Sequence, residues 1–440
     1  METKEFLQNK SKSVNWQITF KVVTIGMIAI ALLIPKFMIL SLIQERESTA
    51  GASKMEVMQK WSLAQTVRGP VLVIPYIDRN FDSHEKQVTE EIKELYILPK
   101  TLKIDGEILP QKLYRSIYET VVYESGINIK GSFDVADFES QKIAEEDIMW
   151  DKAKILVAIS DLRGIEEIGQ FLWNGQPATF LPGMENQLIG TNGISLDLSN
   201  LSSTGFPADF GFTLKLKGSE SLKFAPLGEV TEVMLKSSWN DPGFEGSFLP
   251  SERNIDNTGF QAQWKVLNFN RNFPQEWKNS EYKVTDADFG VKLVSMADHY
   301  QKSLRTAKYA ILVILFTFLS FFLHEVITKH RVHPFQYILV GFAVLVFYLL
   351  LLSISEQIGF NLAYLISAVA VITMIFAYSR TFLSKWLDSI VQTLILTFSF
   401  GFIFVLMQLE SYALLVGSIG LFFVLGLTMF FTRKINWYGE

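Results

Sequence analysis

Six long apolar runs constrain this chain more than any other feature, because segments of that length and composition belong in a membrane. Five of them lie in the last third of the chain and one lies near its start. Each run has about 20 residues, which is enough to cross a hydrocarbon core of about 30 Å at about 1.5 Å per residue. We therefore predict six membrane spans, at residues 18–43, 309–327, 336–354, 360–378, 387–407 and 411–431.

The basic residues near the spans predict which loops face the cytoplasm. They fall before the first span, in its first turn, in two of the four short loops and after the last span, as Lys4, Lys10, Lys12, Lys21, Lys329, Arg331, Arg380, Lys385, Arg433 and Lys434. The other two short loops carry Glu356 and Glu410 without Lys or Arg. Because basic loops are retained in the cytoplasm, we expect cytoplasmic termini, residues 1–17 and 432–440, and a periplasmic segment, residues 44–305.

The first span has two interpretations, an uncleaved anchor or a cleaved signal peptide. The basic residues before it and the small residues at 50–52 are compatible with a signal peptide. Its apolar run is longer than a typical signal-peptide core, however, and charged residues at 45–47 separate that run from the small residues. We therefore expect an uncleaved anchor helix.

The periplasmic segment has the pattern of a β domain. Short stretches rich in Val, Ile, Tyr and Phe alternate with Gly, Pro and Asn, as they do in sandwiches. We predict strands near residues 71–76, 94–98, 102–109, 113–123, 127–133, 155–159, 194–198, 210–217, 231–237, 260–266 and 289–294, and one helix at 137–146. Phe212, Leu214 and Leu216 alternate with polar residues, which indicates one buried and one solvated strand face.

The predicted fold class is thus an α + β membrane protein. An N-terminal anchor helix, a large mainly-β, sandwich-like periplasmic domain and a C-terminal bundle of five transmembrane helices, within residues 306–431, follow one another along the chain.

Composition excludes several kinds of chemistry. The chain has 440 residues, a net charge of −5 and no cysteine, so disulfides and thiolate catalysis are excluded. The mild acidity and the lack of a long basic block argue against nucleic-acid binding. No motif typical of a serine hydrolase or penicillin-binding enzyme occurs, and His324, Glu325, His330 and His333 match no metal-ligand spacing. We expect no catalytic residues, no cofactor and no metal.

Two tracts of the periplasmic segment are candidate binding surfaces. Asp161 and Arg163 follow a predicted strand, where they are suited either to a ligand or to closing a turn. Trp239 and Arg253 lie in a tract of aromatic residues between Pro and Gly, which suits either a binding groove or a plug at the end of a β domain. The turn and the plug are the favoured interpretations.

Polar residues at the span ends are the other candidates, because such groups cost stability in a membrane unless they are paired or useful. Five are selected on this basis: Arg305, Glu325, His333, Gln336 and Glu356. The alternative for each is helix capping or interfacial anchoring. Asp388 and Glu410 also lie at span ends, where a carboxylate needs no buried partner.

Several short segments along the chain resemble the sequence pattern of one known family. They are Gly69-Pro70-Val71-Leu72-Val73-Ile74-Pro75, Asp161-Leu162-Arg163-Gly164-Ile165, Ser238-Trp239, Phe248-Leu249-Pro250, residues 259–264, Asp298-His299-Tyr300, Arg305, Lys308-Tyr309-Ala310, Glu325, residues 333–337, 340–341 and 347–352, Ser355-Glu356, Gly359-Phe360 and residues 432–438. Through them the chain resembles the CreD family of bacterial inner-membrane proteins, which is linked to cell envelope integrity. His299 stands where the family pattern has Gln.

The resemblance implies an envelope-stress or antibiotic-response role and carries over no catalytic residues. The first functional hypothesis is a non-enzymatic envelope-integrity protein held in the lipid bilayer, whose β domain contacts the wall or a periplasmic or inner-membrane protein partner. The second is a transporter or lipid-handling channel formed by the C-terminal bundle. The third is a subunit that modulates a two-component sensor kinase through its spans.

Overall fold

The computed structural model describes residues 16–82, 87–184, 186–198, 201–202, 205–293, 299–328, 331–383, 385–409 and 412–433. Several charges used above lie outside these residues, namely Lys4, Lys10, Lys12, Lys329, Glu410 and Lys434, as do His330 and Asp298. The chain divides into two compact units. One comprises residues 1–51 and 296–440, and the other comprises residues 52–295.

The helices of the described residues are α1 Trp16–Ala31, α2 Leu33–Trp61, α3 His299–Lys308, α4 Ala310–Thr328, α5 Pro334–Ile358, α6 Phe360–Phe382, α7 Trp386–Gln408 and α8 Ala413–Thr432. Five stretches, Thr19–Trp61 and the helices α4 to α7, are long and apolar enough to cross a membrane. A shorter apolar stretch, Leu415–Phe430, lies within α8.

A proline explains the break between α1 and α2. Pro35 has no N–H, so the usual bond to the carbonyl of Ala31 is missing. The neighbouring bonds persist, since the Leu32 N–H donates to Ile28 at 3.0 Å and the Lys36 N–H donates to Leu32 at 3.2 Å. The helical path therefore continues across a single turn residue.

In the helical unit, α5 contacts α1, α3, α4 and α6. Its buried aromatic residue Phe347 packs against Tyr364 of α6 and Phe400 of α7, with ring centroids 5.1 and 4.5 Å apart. The hydrophobic effect does not drive helices together inside a bilayer. Close side-chain packing of this kind therefore stabilises a helical bundle.

The second unit is built from β-strands. In chain order they are β1 Gln65–Asp82, β2 Gln87–Ile97, β3 Thr101–Arg115, β4 Tyr118–Phe133, β5 Lys154–Ile159, β6 Ile165–Ile168, β7 Phe171–Trp173, β8 Gln176–Ala178, β9 Leu181–Pro182, β10 Gly193–Asp197, β11 Ala208–Ser219, β12 Ser221–Phe224, β13 Val230–Ser237, β14 Pro242–Gly246, β15 Glu252–Asp256, β16 Gly259–Leu267, β17 Glu276–Lys278 and β18 Phe289–Leu293.

These strands form two nine-stranded sheets. The first has the order β14-β18-β12-β1-β5-β10-β9, with β2 paired to both β1 and β17. The second has the order β15-β16-β13-β3-β4-β11-β7-β8, with β6 paired to β11. Most pairs are antiparallel, but β1 runs parallel to β12 and β13 runs parallel to β3.

One hydrophobic core joins the two sheets. It contains Val71 and Ile155 from the first sheet and Ile104 and Leu214 from the second. Burying each such side chain contributes about 2 kcal/mol. In β11, Phe212, Leu214 and Leu216 are buried while the residues between them face outward, so the predicted alternation is confirmed. The predicted α + β membrane fold with a sandwich-like β domain is confirmed as well.

Two predicted elements are wrong. Residues 113–123 are not one strand but a hairpin, because Ser116 adopts φ 55° and lets Arg115 pair with Tyr118. The predicted helix at 137–146 is a single turn followed by the 3-10 helix Glu145–Asp147. That turn ends because Lys142, at φ 53°, has the left-handed conformation that stops a helix.

Candidate functional site

Glu325 lies at a junction of three segments in the helical unit. Its carboxylate forms an ion pair with Lys21 of α1 and accepts a hydrogen bond from the Tyr337 hydroxyl of α5 at 3.4 Å. The Lys21 ammonium also donates to the carbonyl of Val332 at 2.5 Å. The side chains of Lys21 and Glu325 are only 21% and 11% exposed. These contacts fasten the N-terminal helix to the bundle.

The side chains of His333 and Gln336 accept hydrogen bonds from backbone N–H groups at the start of α5. The His333 Nδ1 accepts from the Phe335 N–H at 3.2 Å, and the Gln336 Oε1 accepts from the His333 N–H at 2.8 Å. This is a reciprocal capping arrangement in front of Pro334, which stands at the first helical position. Both side chains satisfy helix-terminal donors that otherwise lack partners.

Glu356 lies at the opposite end of α5. Its Oε1 accepts from the Tyr300 hydroxyl of α3 at 2.8 Å. The 20 residues between Gln336 and Glu356 span about 30 Å of helix. Arg305 is half-buried on α3 and makes no hydrogen bond or ion pair with another described residue. The five predicted span-end residues therefore form no single site.

Sequence reasoning missed a polar ladder between α4 and α7. The Ser320 hydroxyl donates to the Gln392 Oε1, and the Gln392 amide donates back to the Ser320 carbonyl at 3.2 Å. One turn further along, the His324 Nε2 lies 3.7 Å from the Asp388 carboxylate. Asp388 thus lies close to a partly buried histidine of α4. The spacing of four residues on both helices was the available signal.

The carboxylate of Asp161 anchors the end of α2 in the β domain. It accepts from the Leu63 N–H at 2.9 Å and from the Arg163 guanidinium at 2.8 Å, and its side chain is 9% exposed. The hydrogen bond from Arg163 lowers the pKa of Asp161 to about 2 against the opposing effect of burial. Asp161 also caps the 3-10 helix Leu162–Gly164.

Arg163 and Gln65 complete this joint. The Arg163 Nη1 donates to the carbonyl of Gln59 at 2.7 Å, which satisfies an acceptor in the last turn of α2. The Gln65 amide donates to the carbonyls of Asp161 and Lys217 at 2.9 and 3.0 Å. The Asp–Arg tract thus lies in a turn that joins helix to sheet, with its hydrogen-bonding groups already engaged.

Trp239 and Arg253 lie against the aromatic end of the core. The Trp239 indole donates to the carbonyl of Asp241 at 3.1 Å, and the Lys112 ammonium lies 5.6 Å from its ring centroid. Arg253 lies over Phe244, which contacts Trp264 with ring centroids 5.7 Å apart. The tract packs on the core from its edge.

A groove of about 690 Å³ lies on the β domain, and sequence reasoning did not identify it. Three of its lining residues form a polar network, in which the Tyr96 hydroxyl donates to Glu94 and accepts from the Asn186 amide at 2.6 Å. Burial and the neighbouring Glu94 raise the pKa of Tyr96. The full lining is Pro75, Ile92, Lys93, Glu94, Tyr96, Asn186, Gln187, Leu188, Asn279, Ser280 and Lys283.

An aromatic stack holds the ring of Tyr96 in position. Its ring is parallel to that of Trp277 on β17, with centroids 5.4 Å apart. The Asn186 side chain is fixed in turn, because its Oδ1 accepts from the N–H groups of Leu188 and Ile189 at 3.0 and 3.2 Å. The groove is therefore preorganised. Within the described ranges, no group of three or more His, Asp or Glu side chains is placed to hold a metal ion.

The apolar helices and the two-sheet domain define the class of this chain as a multi-pass membrane protein with a large β domain. A family model described as "Inner membrane protein CreD" matches residues 17–438. The inner membrane protein CreD of Escherichia coli (strain K12) is 32% identical over 412 residues, which are 92% of this chain and 91% of that protein. The chain belongs to the CreD family of inner membrane proteins, and the resemblance seen in its sequence is confirmed.

Two solved structures show a remote likeness to this chain. The M1 zinc metallopeptidase of Deinococcus radiodurans aligns at TM-score 0.19 and 9% identity, over 39% of this chain and 38% of that one. Native yeast LTA4 hydrolase aligns at TM-score 0.20 and 9% identity, over 51% and 35% of the two chains. The chain spans less than half of either enzyme, and likeness at this level supports no inference about its activity.

Proposed function

We propose that this protein supports the integrity of the cell envelope through its β domain, which binds a partner protein or the wall on the periplasmic side. In this proposal the protein acts by binding, without catalysing a reaction, and the helical unit holds it in the inner membrane. The observation that carries the proposal is that polar side chains of the spans bond to groups on neighbouring helices. Ser320 bonds Gln392, and Glu325 bonds Lys21 and Tyr337.

Such pairing supports an anchoring role for the bundle. A transport path needs polar groups that exchange partners with a substrate, and these groups are engaged with neighbouring helices. The β domain, in contrast, offers an open groove with preorganised polar groups. Grooves of this kind are the default binding sites of proteins.

The proposed orientation has both termini in the cytoplasm and residues 44–305 in the periplasm. It is supported by the basic residues Arg331 and Lys385 in two of the loops between helices and by Arg380 in the last turn of α6. Because the chain has no cysteine, single cysteines report accessibility cleanly. In whole cells, a membrane-impermeant maleimide should label Asp105→Cys and spare Lys385→Cys. The reverse pattern would refute the orientation.

A deletion strain challenged with cell-wall antibiotics and detergents tests the proposed function. One complementing gene encodes the wild type, and another keeps the helices but replaces residues 70–295 with a flexible linker. We expect the shortened protein to be inserted and abundant yet unable to restore tolerance. If the helices alone restore tolerance, the β domain is not the working part and the proposal fails.

One observation favours a second candidate, a transport or lipid-handling role of the bundle. The hydroxyls of Ser303, Tyr348 and Ser367 are buried and have no hydrogen-bond partner among the described residues. Buried hydroxyls without partners cost stability, and their retention suits groups that meet a polar ligand or water. Under this candidate Tyr348→Phe should abolish tolerance at unchanged protein level. Under our proposal tolerance should persist.

A further inference from the structure

We infer that the edge of β2 beside the groove is a strand-addition site, which takes an extended peptide segment of a partner protein that carries an acidic side chain. The inference deepens the proposed function, because it rests on the β domain being the part that binds. It specifies the class of partner, the edge that pairs with it and the side chains that flank it.

The chain itself already adds a strand to this edge. β17 pairs antiparallel with β2, with Trp277 opposite Tyr96 and Lys278 opposite Leu95. The pairing continues one residue further, since the Asn279 N–H donates to the Glu94 carbonyl at 2.8 Å. The Asn279 side chain then accepts from the Glu94 N–H at 3.4 Å. After Asn279 the chain turns away from the edge.

The edge continues where β17 stops. The backbone groups of Glu94 and Leu98 point toward β17, as their bonds to Asn279 and Gln275 show. Alternate residues of a strand point the same way, so the N–H and C=O of Ile92 and Glu90 face this edge too. Among the described residues, the structure gives these backbone groups no partner on that side. Edge strands with free backbone groups are templates for pairing.

The pairing with β1 is compatible with this geometry. Glu94 lies opposite Pro75, which has no N–H to offer, and Ile92 lies opposite Ile77 two residues further along. Both are therefore positions where β2 does not exchange hydrogen bonds with β1. The outward groups of β2 are free for another chain without loss of any bond to β1.

The groove lies along this edge and supplies side-chain contacts. Ile92 is 66% exposed, so its side chain is available for contact with an apolar residue of a peptide. Lys283 also lines the groove and has no ion-pair partner among the described residues. An acidic side chain on the added strand would complement it. Backbone pairing would provide affinity, and these two contacts would provide specificity.

A proline at the edge tests the inference with little effect on the fold. Ile92→Pro removes the outward N–H but no hydrogen bond to β1, and proline is tolerated on edge strands. Ile92→Thr is the matched control, since it keeps the N–H and favours strand structure. Random linear peptides would be selected on the full chain in lipid nanodiscs and their affinities compared. We expect Ile92→Pro to weaken binding about tenfold, and Ile92→Thr to weaken it less.

Hydrogen exchange on the wild type provides a readout that needs no substitution. The amides of Glu90 and Ile92 should exchange quickly in the free protein and slow when a selected peptide binds. Selected peptides that bind wild type and Ile92→Pro equally, or that leave both amides unprotected, would overturn strand addition. So would a selection that yields no groove-binding peptide while soluble peptidoglycan fragments bind the groove.

The outcomes separate the inference from the proposed function. If helices without residues 70–295 restore antibiotic tolerance, the proposed function fails, whatever the peptides do. If the β domain is required but Ile92→Pro complements fully and binds peptides normally, strand addition alone fails.

Discussion

The Lys21 ammonium of α1 and the Glu325 carboxylate of α4 form an ion pair, although 304 residues separate them in the chain. The pair ties the first apolar helix to the C-terminal bundle, with Val332 and Tyr337 as additional partners. Removing one member of such a pair leaves a charge without compensation, which costs more than the pair itself contributes.

Lys21→Met should therefore destabilise the helical unit by about 3 kcal/mol. Lys21→Met combined with Glu325→Leu should recover most of that loss, because replacing both charges with apolar groups leaves none uncompensated. The measurement is a double-mutant cycle on unfolding of the full chain in mixed micelles. Lys36→Met is the control, since Lys36 has no ion-pair partner among the described residues. Additive effects of the two substitutions would contradict the coupling.

Asp161→Asn should lower the stability of the full chain by about 2 kcal/mol at neutral pH, because the carboxylate accepts charge-assisted hydrogen bonds from Arg163. The pKa of Asp161 is held near 2, below the ordinary value of 3.8. Its contribution is therefore fully present above pH 3.8 and is lost as the pH falls through about 2.

Thermal unfolding followed by tryptophan fluorescence between pH 2 and neutral pH checks this prediction. The gap between wild type and Asp161→Asn should narrow as acid is added. Asp209→Asn is the matched control, because Asp209 is exposed and its carboxylate has no partner among the described residues. A gap that stays constant down to the lowest pH would count against the role of the Asp161 charge.

His333→Ala and Gln336→Ala should each cost about 1 kcal/mol, because each removes one half of the capping arrangement at the start of α5. Their effects should be less than additive in the double variant, since the two halves support one helix end. His333→Asn should retain most of the stability, because asparagine also caps helices well. Equal losses for His333→Asn and His333→Ala would contradict the capping role.

Glu356→Gln should leave antibiotic tolerance at the wild-type level. The amide oxygen of glutamine can still accept from the Tyr300 hydroxyl, so the contact between α3 and α5 persists. Glu356→Leu removes the acceptor and should lower stability by about 1 kcal/mol. Complementation at matched protein levels provides the test. Loss of tolerance in stable Glu356→Gln protein would favour the transport candidate over our proposal.

The amino-acid sequence by itself determined the apolar helices, the β character of the segment between them and the alternation within β11. These features are local, because the length of an apolar run and its period follow from neighbouring residues alone. The family was recognisable for the same reason, since its phrases are contiguous. The wrong elements, the strand at 113–123 and the helix at 137–146, depended on Ser116 and Lys142 adopting left-handed conformations. The hydrophobic pattern of a sequence does not predict a left-handed conformation for a serine or a lysine.

Only the tertiary structure decided which polar residues meet. Glu325 pairs with a lysine at the other end of the chain, whereas Glu356, selected by the same sequence rule, bonds a neighbouring tyrosine at the opposite end of α5. The groove forms only where β2, β17 and the segment around Asn186 come together. Its lining residues belong to no recognisable sequence motif. The physical reason is that burial is encoded by local periodicity, whereas a polar contact depends on the register in which distant elements pack.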